Sequence, residues 1–143
     1  MVDPKNANFD LYTRATVVKP NRKEAAAAAG MEIADHSGAA VAGRALAKRW
    51  NSEMVLVTMG EQGMVLVAKD EQQPVIEIDT EAREVFDVSG AGDTVAAVFT
   101  LALAVDATPE QAAQLANIAA GIVVAEVGAV AIRPEQLRAA LEG

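Results

Sequence analysis

Asp87-Val88-Ser89-Gly90-Ala91-Gly92-Asp93-Thr94 is the stretch of this sequence that decides the fold. Residues 84–86 just before it predict an extended strand, and the apolar run just after it predicts a helix. Between them, Gly90 and Gly92 allow a tight turn in which a ligand can approach the backbone amides closely. The first amides of a helix have no partner within it and lie at the positive end of its dipole. The stretch therefore predicts a strand, a turn and a helix N-terminus that binds an anion.

Asp93 adds a carboxylate to this predicted helix N-terminus. The helix dipole alone favours a carboxylate there by about 0.3 to 1 kcal/mol, so a purely structural role is one interpretation. A carboxylate beside a bound phosphate-like group is also placed to accept the proton of an attacking hydroxyl. This second interpretation predicts phosphoryl transfer, and it requires further elements elsewhere in the chain.

Composition limits the classes of protein to which the chain can belong. Its 143 residues, 52% of them hydrophobic, predict one domain over residues 1–143 with a sizeable core. The net charge of -8 argues against nucleic acid or an anionic membrane as a partner, because both require a basic surface. An acidic protein can still bind phosphate through a local cluster of amides.

Targeting and redox signals are absent from the sequence. It has no cysteine, which excludes disulfides and thiolate chemistry, and residues 1–10 have no apolar signal-peptide core. The longest apolar run, Val95 to Val105, is too short to span a bilayer. A cytoplasmic protein without a membrane partner is predicted.

Short apolar runs alternate with amphipathic segments along the rest of the chain. Strands are predicted at 15–18, 54–59, 64–68 and 75–78. Helices are predicted at 22–29, 37–50, 94–105, 109–126 and 134–141. The near-continuous apolar run 54–59 is typical of a strand buried on both faces in an α/β sheet.

Two further motifs allow both a structural and a functional interpretation. Asn21 and Glu24 have the spacing of a helix cap. Thr58 places a hydroxyl at the end of a buried strand, and Gly60 and Gly63 follow it in what is otherwise an ordinary turn. Alone, each motif predicts only local structure.

His36 and Lys19 are predicted to have no role in chemistry. His36, the only histidine, lies among polar residues and is predicted to be a solvated loop or helix-entry residue. Lys19 is predicted to be a charge at the end of a strand.

Taken together and in order, five motifs of the chain resemble the C-terminal half of the ribokinase-like (PfkB) carbohydrate kinases. They are Asp-Pro-Lys at 3–5, Lys-Pro-Asn-x-x-Glu at 19–24, Thr-x-Gly-x-x-Gly at 58–63, Asp-Val-Ser-Gly-Ala-Gly-Asp-Thr at 87–94 and Ala-Asn-x-Ala-Ala at 116–120. Residues 2–5, 19–24 and 116–124 are most similar to the heptose-phosphate kinase domain of the bifunctional ADP-heptose synthases. The resemblance implies a partial ribokinase-like α/β fold, with a central, mostly parallel sheet flanked by helices and without the family's N-terminal half and lid.

The resemblance implies roles for the residues of the 87–94 stretch. Asp93 would be the base that accepts the proton of the acceptor sugar hydroxyl. The amides of Gly90, Ala91 and Gly92 would form the anion hole for the transferring γ-phosphoryl group.

For the nucleotide, the resemblance implies ATP with Mg²⁺. Asn21 and Glu24 match the element that helps to place Mg²⁺, largely through water. Thr58, Gly60 and Gly63 match the turn that lies along the phosphates and ribose.

Three more positions follow from the same resemblance. Asn117 would face the adenine. Asp87 and Ser89 match positions at which some members bind a monovalent cation such as K⁺.

The resulting prediction is ATP-dependent phosphoryl transfer to a sugar hydroxyl, with D-glycero-D-manno-heptose 7-phosphate as acceptor at its anomeric position. Since the family's sugar pocket comes mainly from its N-terminal half, the chain alone is expected to bind ATP or ADP weakly and to be inactive. Exposed apolar surface predicts a homo-oligomer or association with that half. The alternatives are a non-catalytic nucleotide-binding or assembly module of the same fold, or another PfkB kinase for fructose phosphate, ribose or a nucleoside.

Overall fold

The computed structural model of the protein describes residues 1–80, 88–128 and 130–142. The chain divides into two units, Met1–Asp79 and Thr80–Gly143. The first unit contains a four-stranded sheet with helices, and the described part of the second contains three helices. The strand predicted at 84–86 lies outside the described residues, and the prediction of one domain over 1–143 stays a prediction.

The first unit contains every strand and helix predicted for its part of the chain. Its main elements are strand β1 (Val17–Val18), helix α1 (Arg22–Ala29), helix α2 (His36–Arg49) and strands β2 (Met54–Thr58), β3 (Met64–Ala68) and β4 (Ile76–Ile78). Short 3₁₀ helices at Asn6–Leu11 and Gly60–Gln62 precede β1 and join β2 to β3. The predicted elements are therefore confirmed, with ends shifted by a few residues.

The sheet has the strand order β1-β2-β3-β4. Strands β1 and β2 are parallel, and both helices of the unit lie in the connection between them. The pairs β2–β3 and β3–β4 are antiparallel, because their short connections leave no room for a crossover helix. The α/β class is thus confirmed, but the described sheet is mixed rather than mostly parallel.

Helix α2 covers one face of the sheet with small side chains. Its buried residues pack in one core cluster with valines of β2 and β3. The helix side consists of Ala39, Ala42, Leu46 and Ala47, with Gly43 among them, and the sheet side of Val55, Val57, Val65 and Val67. Small residues on the helix allow its backbone to approach the strands closely.

Gly43 lies at such a close approach, and its replacement by alanine should destabilise the fold. A Cβ on Gly43 would lie 2.8 Å from Cγ2 of Val67 and 3.6 Å from Cγ2 of Val57. Because these valines must then shift within a packed core, we expect Gly43→Ala to lower the free energy of unfolding by about 1–3 kcal/mol. Urea denaturation followed by circular dichroism measures this change.

Gly38→Ala, in the first turn of the same helix, is the matched control. A Cβ there would have Oδ1 of Asp35 as its nearest neighbour, at 3.5 Å, which is an ordinary van der Waals distance. Since alanine is the better helix former by about 0.5–1 kcal/mol, stability should stay the same or rise. Equal losses in Gly43→Ala and Gly38→Ala would show that the contact with the sheet has no special importance.

The second unit contains helices α3 (Ala91–Ala104), α4 (Pro109–Val124) and α5 (Pro134–Glu142). Helices α3 and α4 pack against each other. The short link 105–108 makes this pair an antiparallel hairpin. Across the described ranges of both units, every helix is too short or too polar to cross a membrane.

Candidate active site

Two of the predicted motifs meet at the carboxyl ends of the parallel strands β1 and β2. Asn21 follows β1, Thr58 ends β2, and these two residues form an isolated parallel bridge. The amide of Thr58 donates a hydrogen bond to the carbonyl oxygen of Pro20 at 3.0 Å. Ligands of α/β sheets bind outside the carboxyl ends of parallel strands. The fold therefore brings Asn21 and Thr58 together at the edge where a ligand is expected.

Asn21 and Glu24 form the predicted cap of α1. Oδ1 of Asn21 accepts a hydrogen bond from the amide of Glu24 at 2.9 Å, and Oε2 of Glu24 accepts one from the amide of Asn21 at 2.9 Å. Neither bond uses Oε1 of Glu24 or Nδ2 of Asn21. The structural interpretation of this motif is confirmed, and one carboxylate oxygen remains outside the cap.

This donor set fits a magnesium ion bound through water. Mg²⁺ keeps several of its waters and is usually bound through one or two carboxylates together with substrate phosphates. In residues 1–80, 88–128 and 130–142, no three histidine, aspartate or glutamate side chains are grouped so that they could hold a metal. Glu24 and Asn21 would then hold the ion mainly through hydrogen bonds to its bound waters.

The turn after β2 presents backbone amides at the same edge. Gly63 has φ 79° and ψ -127°, a backbone conformation that residues other than glycine rarely adopt. Its amide donates to the carbonyl of Gly60 at 2.9 Å, and its own carbonyl accepts from Met59 at 2.8 Å. The amides of Gly60 and Glu61 have no backbone acceptor within the described residues. They are therefore available to an anionic ligand.

Helix α3 begins without a side-chain cap, unlike α1, α2 and α4. The N-caps of those three helices are Asn21, Asp35 and Thr108, and each side chain accepts a hydrogen bond from its helix. The N-cap of α3 is Gly90, which has φ 82° and no side chain to offer. The amides that a cap would satisfy in α3 are left for another acceptor.

The hydrogen bonds around Gly90 show which amides these are. The carbonyl of Val88 accepts from the amide of Ala91 at 3.3 Å, and that of Gly90 accepts from Thr94 at 2.9 Å. For the amides of Gly92 and Asp93, the described part of the chain provides no backbone acceptor. Of the predicted anion-hole amides, that of Ala91 is thus engaged within the turn, and that of Gly92 is open. The carboxylate of Asp93 is exposed in the same first turn.

Three predicted positions remain to be placed. Asn117 is buried in the middle of α4, which packs against α3. Ser89 is exposed just before Gly90. Asp87 lies outside the described residues, so the cation site predicted from Asp87 and Ser89 stays a prediction.

Lys19 follows the end of strand β1, as predicted, but it is buried and paired. It is 3% exposed, and its Nζ lies 2.9 Å from Oδ1 of Asp3, while Lys5 binds Oδ2 of Asp3 at 3.1 Å. Burial raises the pKa of Asp3, but the hydrogen bonds and charges of Lys19 and Lys5 outweigh burial and hold it below its ordinary value. The sequence signal was the position of Lys19 between two apolar residues, Val18 and Pro20, which are both buried.

His36 enters α2 as predicted, but its side chain is not solvated. The side chain is 19% exposed, with Nε2 2.5 Å from the carbonyl oxygen of Gln62 and Nδ1 3.3 Å from Oε2 of Glu77. These partners are 26 and 41 residues away in the sequence, so no local pattern could have indicated them.

A small cavity in the second unit lies apart from the predicted residues. It has a volume of about 230 Å³ and is lined by residues of α4, α5 and the segment between them. Small-molecule sites usually measure about 300–1,000 Å³, and none of the predicted positions that the structure describes lines this cavity. The open amides after β2 and at the start of α3 are therefore better candidates for a ligand site than this cavity.

Known sequences similar to the chain are longer than it is. The family model for pfkB family carbohydrate kinases matches residues 2–136. The chain is 48% identical over 141 residues to bifunctional protein HldE of Paramagnetospirillum magneticum, which covers 99% of the chain and 28% of that protein. It is 44% identical over 142 residues to bifunctional protein HldE of Desulfatibacillum aliphaticivorans, which covers 99% of the chain and 29% of that protein. The chain thus spans less than a third of the length of these relatives.

Two solved kinases have a fold similar to that of the chain. Arabidopsis thaliana ribokinase complexed with ribose and ATP superposes with a TM-score of 0.82 and 25% identity, over 97% of the chain and 44% of the ribokinase. Escherichia coli phosphofructokinase-2 in complex with substrates and products gives a TM-score of 0.81 and 21% identity, over 96% of the chain and 43% of that protein. The chain shares its fold with less than half of each.

Proposed function

The chain belongs to the pfkB family of carbohydrate kinases, and on this premise we propose that it carries the ATP site and the catalytic base of a sugar kinase. The predicted family and its ribokinase-like α/β fold are both confirmed. The observation that carries the proposal is the start of α3. There an uncapped helix N-terminus with open amides has the carboxylate of Asp93 in its first turn.

In the proposed reaction, Asp93 accepts the proton of the sugar hydroxyl as its oxygen attacks the γ-phosphorus of ATP. The bond between the γ-phosphorus and the bridging oxygen breaks, and ADP leaves. The open amide of Gly92, at the positive end of the α3 dipole, stabilises the charge on the γ-phosphoryl oxygens. A hydroxyl is a poor nucleophile at neutral pH, so one positioned carboxylate and a set of oriented donors supply what the reaction needs.

Within the first unit, the edge formed by Asn21 and Thr58 is proposed, from the family resemblance, to bind nucleotide phosphates. The open amides of Gly60 and Glu61 suit phosphate oxygens. Glu24 and Asn21 would hold Mg²⁺ through its waters, and this ion neutralises charge on the phosphates. The contacts of Asn117 with adenine and of Asp87 and Ser89 with K⁺ are proposed from the family resemblance alone.

We infer that the acceptor is D-glycero-D-manno-heptose 7-phosphate, phosphorylated at its anomeric hydroxyl. The motifs at 2–5, 19–24 and 116–124 support this acceptor, as do relatives named bifunctional protein HldE at 44–48% identity. Phosphorylation assays with this sugar, ribose, fructose 6-phosphate and a nucleoside, in a protein of the relatives' length that carries this chain, distinguish the acceptors. Transfer to ribose or a nucleoside in preference to the heptose would contradict the inference.

The proposed setting is the cytoplasm, which supplies both ATP and sugar phosphates. Association with a further copy or with another part of a longer protein is proposed from apolar side chains on α3. Leu101 and Val105 are 67% and 77% exposed there. Neighbouring exposed apolar side chains of this size commonly mark an interface.

Gly90→Ala tests the nucleotide site at the start of α3. A Cβ on Gly90 meets nothing within 4 Å, so it would occupy open space beside the amides, where phosphate oxygens have to approach. We expect the Kd of the 143-residue chain for ATP with Mg²⁺ to rise about tenfold or more, the equivalent of at least one lost hydrogen bond. Isothermal titration calorimetry measures the Kd.

Gly30→Ala controls for backbone strain. Gly30 ends α1 with φ 66°, also with nothing within 4 Å of an added Cβ, so alanine suffers a similar strain of about 1–2 kcal/mol at either site. We expect the Kd of this control to equal that of the wild type. An equal rise in both variants, or no binding by the wild-type chain, would argue against a nucleotide site at α3.

A further inference from the structure

We propose that His36 is a positioning residue for nucleotide binding, because its ring holds the 60–62 turn, and with it the open amides of Gly60 and Glu61. This inference rests on the proposed function, which assigns those amides to phosphate oxygens. His36 itself touches neither the nucleotide nor the sugar in this proposal. It acts through the carbonyl of Gln62.

The turn depends on His36 for its attachment. The backbone bonds of the turn join Met59 to Gly63, Gln62 to Met59 and Gly63 to Gly60, so all of them stay within 59–63. Within the described ranges, residues 60–62 are linked to another element by the 2.5 Å hydrogen bond between Nε2 of His36 and the carbonyl oxygen of Gln62. Apart from it, the hydrogen bonds that the described residues give the tip of the turn all lie within 59–63.

The ring is anchored firmly enough to fix the turn. His36 is the first residue of α2, directly after the N-cap Asp35, whose Oδ1 accepts a hydrogen bond from the amide of Gly38 at 2.8 Å. On its other side, Nδ1 lies 3.3 Å from Oε2 of Glu77 on β4. The imidazole thus lies between the capped start of α2, strand β4 and the turn.

The contact with Gln62 also fixes the tautomer of the ring. A carbonyl oxygen only accepts hydrogen bonds, so Nε2 must carry a proton and donate it. Glu77 accepts a second hydrogen bond whenever Nδ1 is protonated as well. Because His36 is the only histidine of the chain, its ring gives a single set of signals in a long-range ¹H–¹⁵N spectrum of untagged protein.

His36→Ala and His36→Gln test whether His36 positions the 60–62 turn for nucleotide binding or only stabilises the fold. We expect His36→Ala to raise the Kd for ATP with Mg²⁺ about tenfold, the equivalent of one hydrogen bond. In His36→Gln, the side-chain NH₂ can replace Nε2 as the donor to Gln62, so most of the affinity should return. Calorimetry on the 143-residue chain measures all three proteins.

Arg44→Ala is the matched control, because Arg44 ties a different loop to the same helix. Its guanidinium donates to the carbonyl oxygens of Asp70 at 3.3 Å and Gln73 at 2.8 Å, in the β3–β4 connection. Losing these bonds should lower the stability of the fold without changing the Kd for the nucleotide. An equal rise in Kd in Arg44→Ala and His36→Ala would overturn the proposal.

The spectrum and the titrations together distinguish failure of this inference from failure of the proposed function. A ring protonated on Nδ1 and not on Nε2 at neutral pH would overturn the inference directly. Wild-type chain that binds ATP with Mg²⁺ and is unaffected by His36→Ala would overturn the inference and leave the proposed function intact. Wild-type chain that binds no nucleotide, with Nε2 protonated as expected, would overturn the proposed function and the role of His36 with it.

Discussion

Replacing Asp93 by asparagine is expected to lower turnover by about 100-fold or more, with nucleotide affinity close to that of the wild type. Asparagine keeps the size of the side chain, but its amide cannot accept the proton of the attacking hydroxyl. Turnover is measured as ATP-dependent phosphorylation of the heptose 7-phosphate in a protein of the relatives' length that carries this chain. Calorimetry with ATP and Mg²⁺ measures the affinity separately.

Asp106→Asn is the control, since it makes the same chemical change just beyond the other end of α3. Asp106 is exposed and has φ 63°, a conformation in which asparagine is among the best tolerated residues. Turnover should be unchanged. Near wild-type turnover in Asp93→Asn would remove Asp93 from the role of base, whereas an equal loss in both variants would point to the net charge instead.

The second large effect concerns the stability of the first unit. Asp3→Ala leaves the ammonium of Lys19 buried without its carboxylate, and breaking such a pair costs about 3–5 kcal/mol. Because the side chain of Asp3 is 31% exposed and that of Lys19 only 4%, we expect a loss near the lower end of this range, about 3 kcal/mol. Urea denaturation at pH 7 measures the free energy of unfolding.

Two variants test this interpretation. Lys5→Ala removes the other partner of Asp3. Because the side chain of Lys5 is 68% exposed, this change should lower the free energy of unfolding by less than about 1 kcal/mol. Combining Asp3→Ala with Lys19→Met removes both charges and should recover most of the loss, because no unpaired ammonium stays buried. A double variant as unstable as Asp3→Ala would show that the buried charge is not the cause.

The same pair predicts a dependence of stability on pH. The pKa of Asp3 in the folded protein lies below its ordinary value of 3.8, so the ionised carboxylate contributes stability above pH 3.8. This contribution is lost as the pH falls through the lowered pKa of the folded state. The difference in stability between wild type and Asp3→Ala should therefore stay constant from neutral pH down to about 4 and narrow below it. A difference that widens in acid would contradict the assigned direction of the pKa.

Local patterns predicted the starts of α1 and α4 correctly because a cap depends on residues three apart, whereas α3, which has no side-chain cap, begins at Ala91 rather than at the predicted residue 94. Asn21 with Glu24, and Thr108 followed by Pro109, gave the starts of α1 and α4 where the structure has them. Strand direction did not follow from the apolar runs, since a run of valines packs equally well in either direction. The short connection at 59–63 requires β2 and β3 to be antiparallel, and it was the sequence feature that indicated their direction.

The candidate site divides in the same way between local and distant signals. The helix start beside Asp93 could be predicted because the glycines and the apolar helix are contiguous in the sequence. The burial of Lys19 against Asp3 and the contact of His36 with Gln62 depend on how separate elements pack. Propensity and spacing carry no information on such packing, so His36 was interpreted as a solvated loop or helix-entry residue and Lys19 as a charge at a strand end.

The cap of α1 orders a carboxylate before any ion is present. The amide of Asn21 fixes Oε2 of Glu24, so the orientation of Oε1 is set by folding of the helix. The loss of rotational freedom that normally accompanies binding by a glutamate has already occurred when the helix forms. A cation that binds at Glu24 therefore meets a preorganised oxygen, and unwinding of the first turn of α1 would weaken its binding without any change in the ligands.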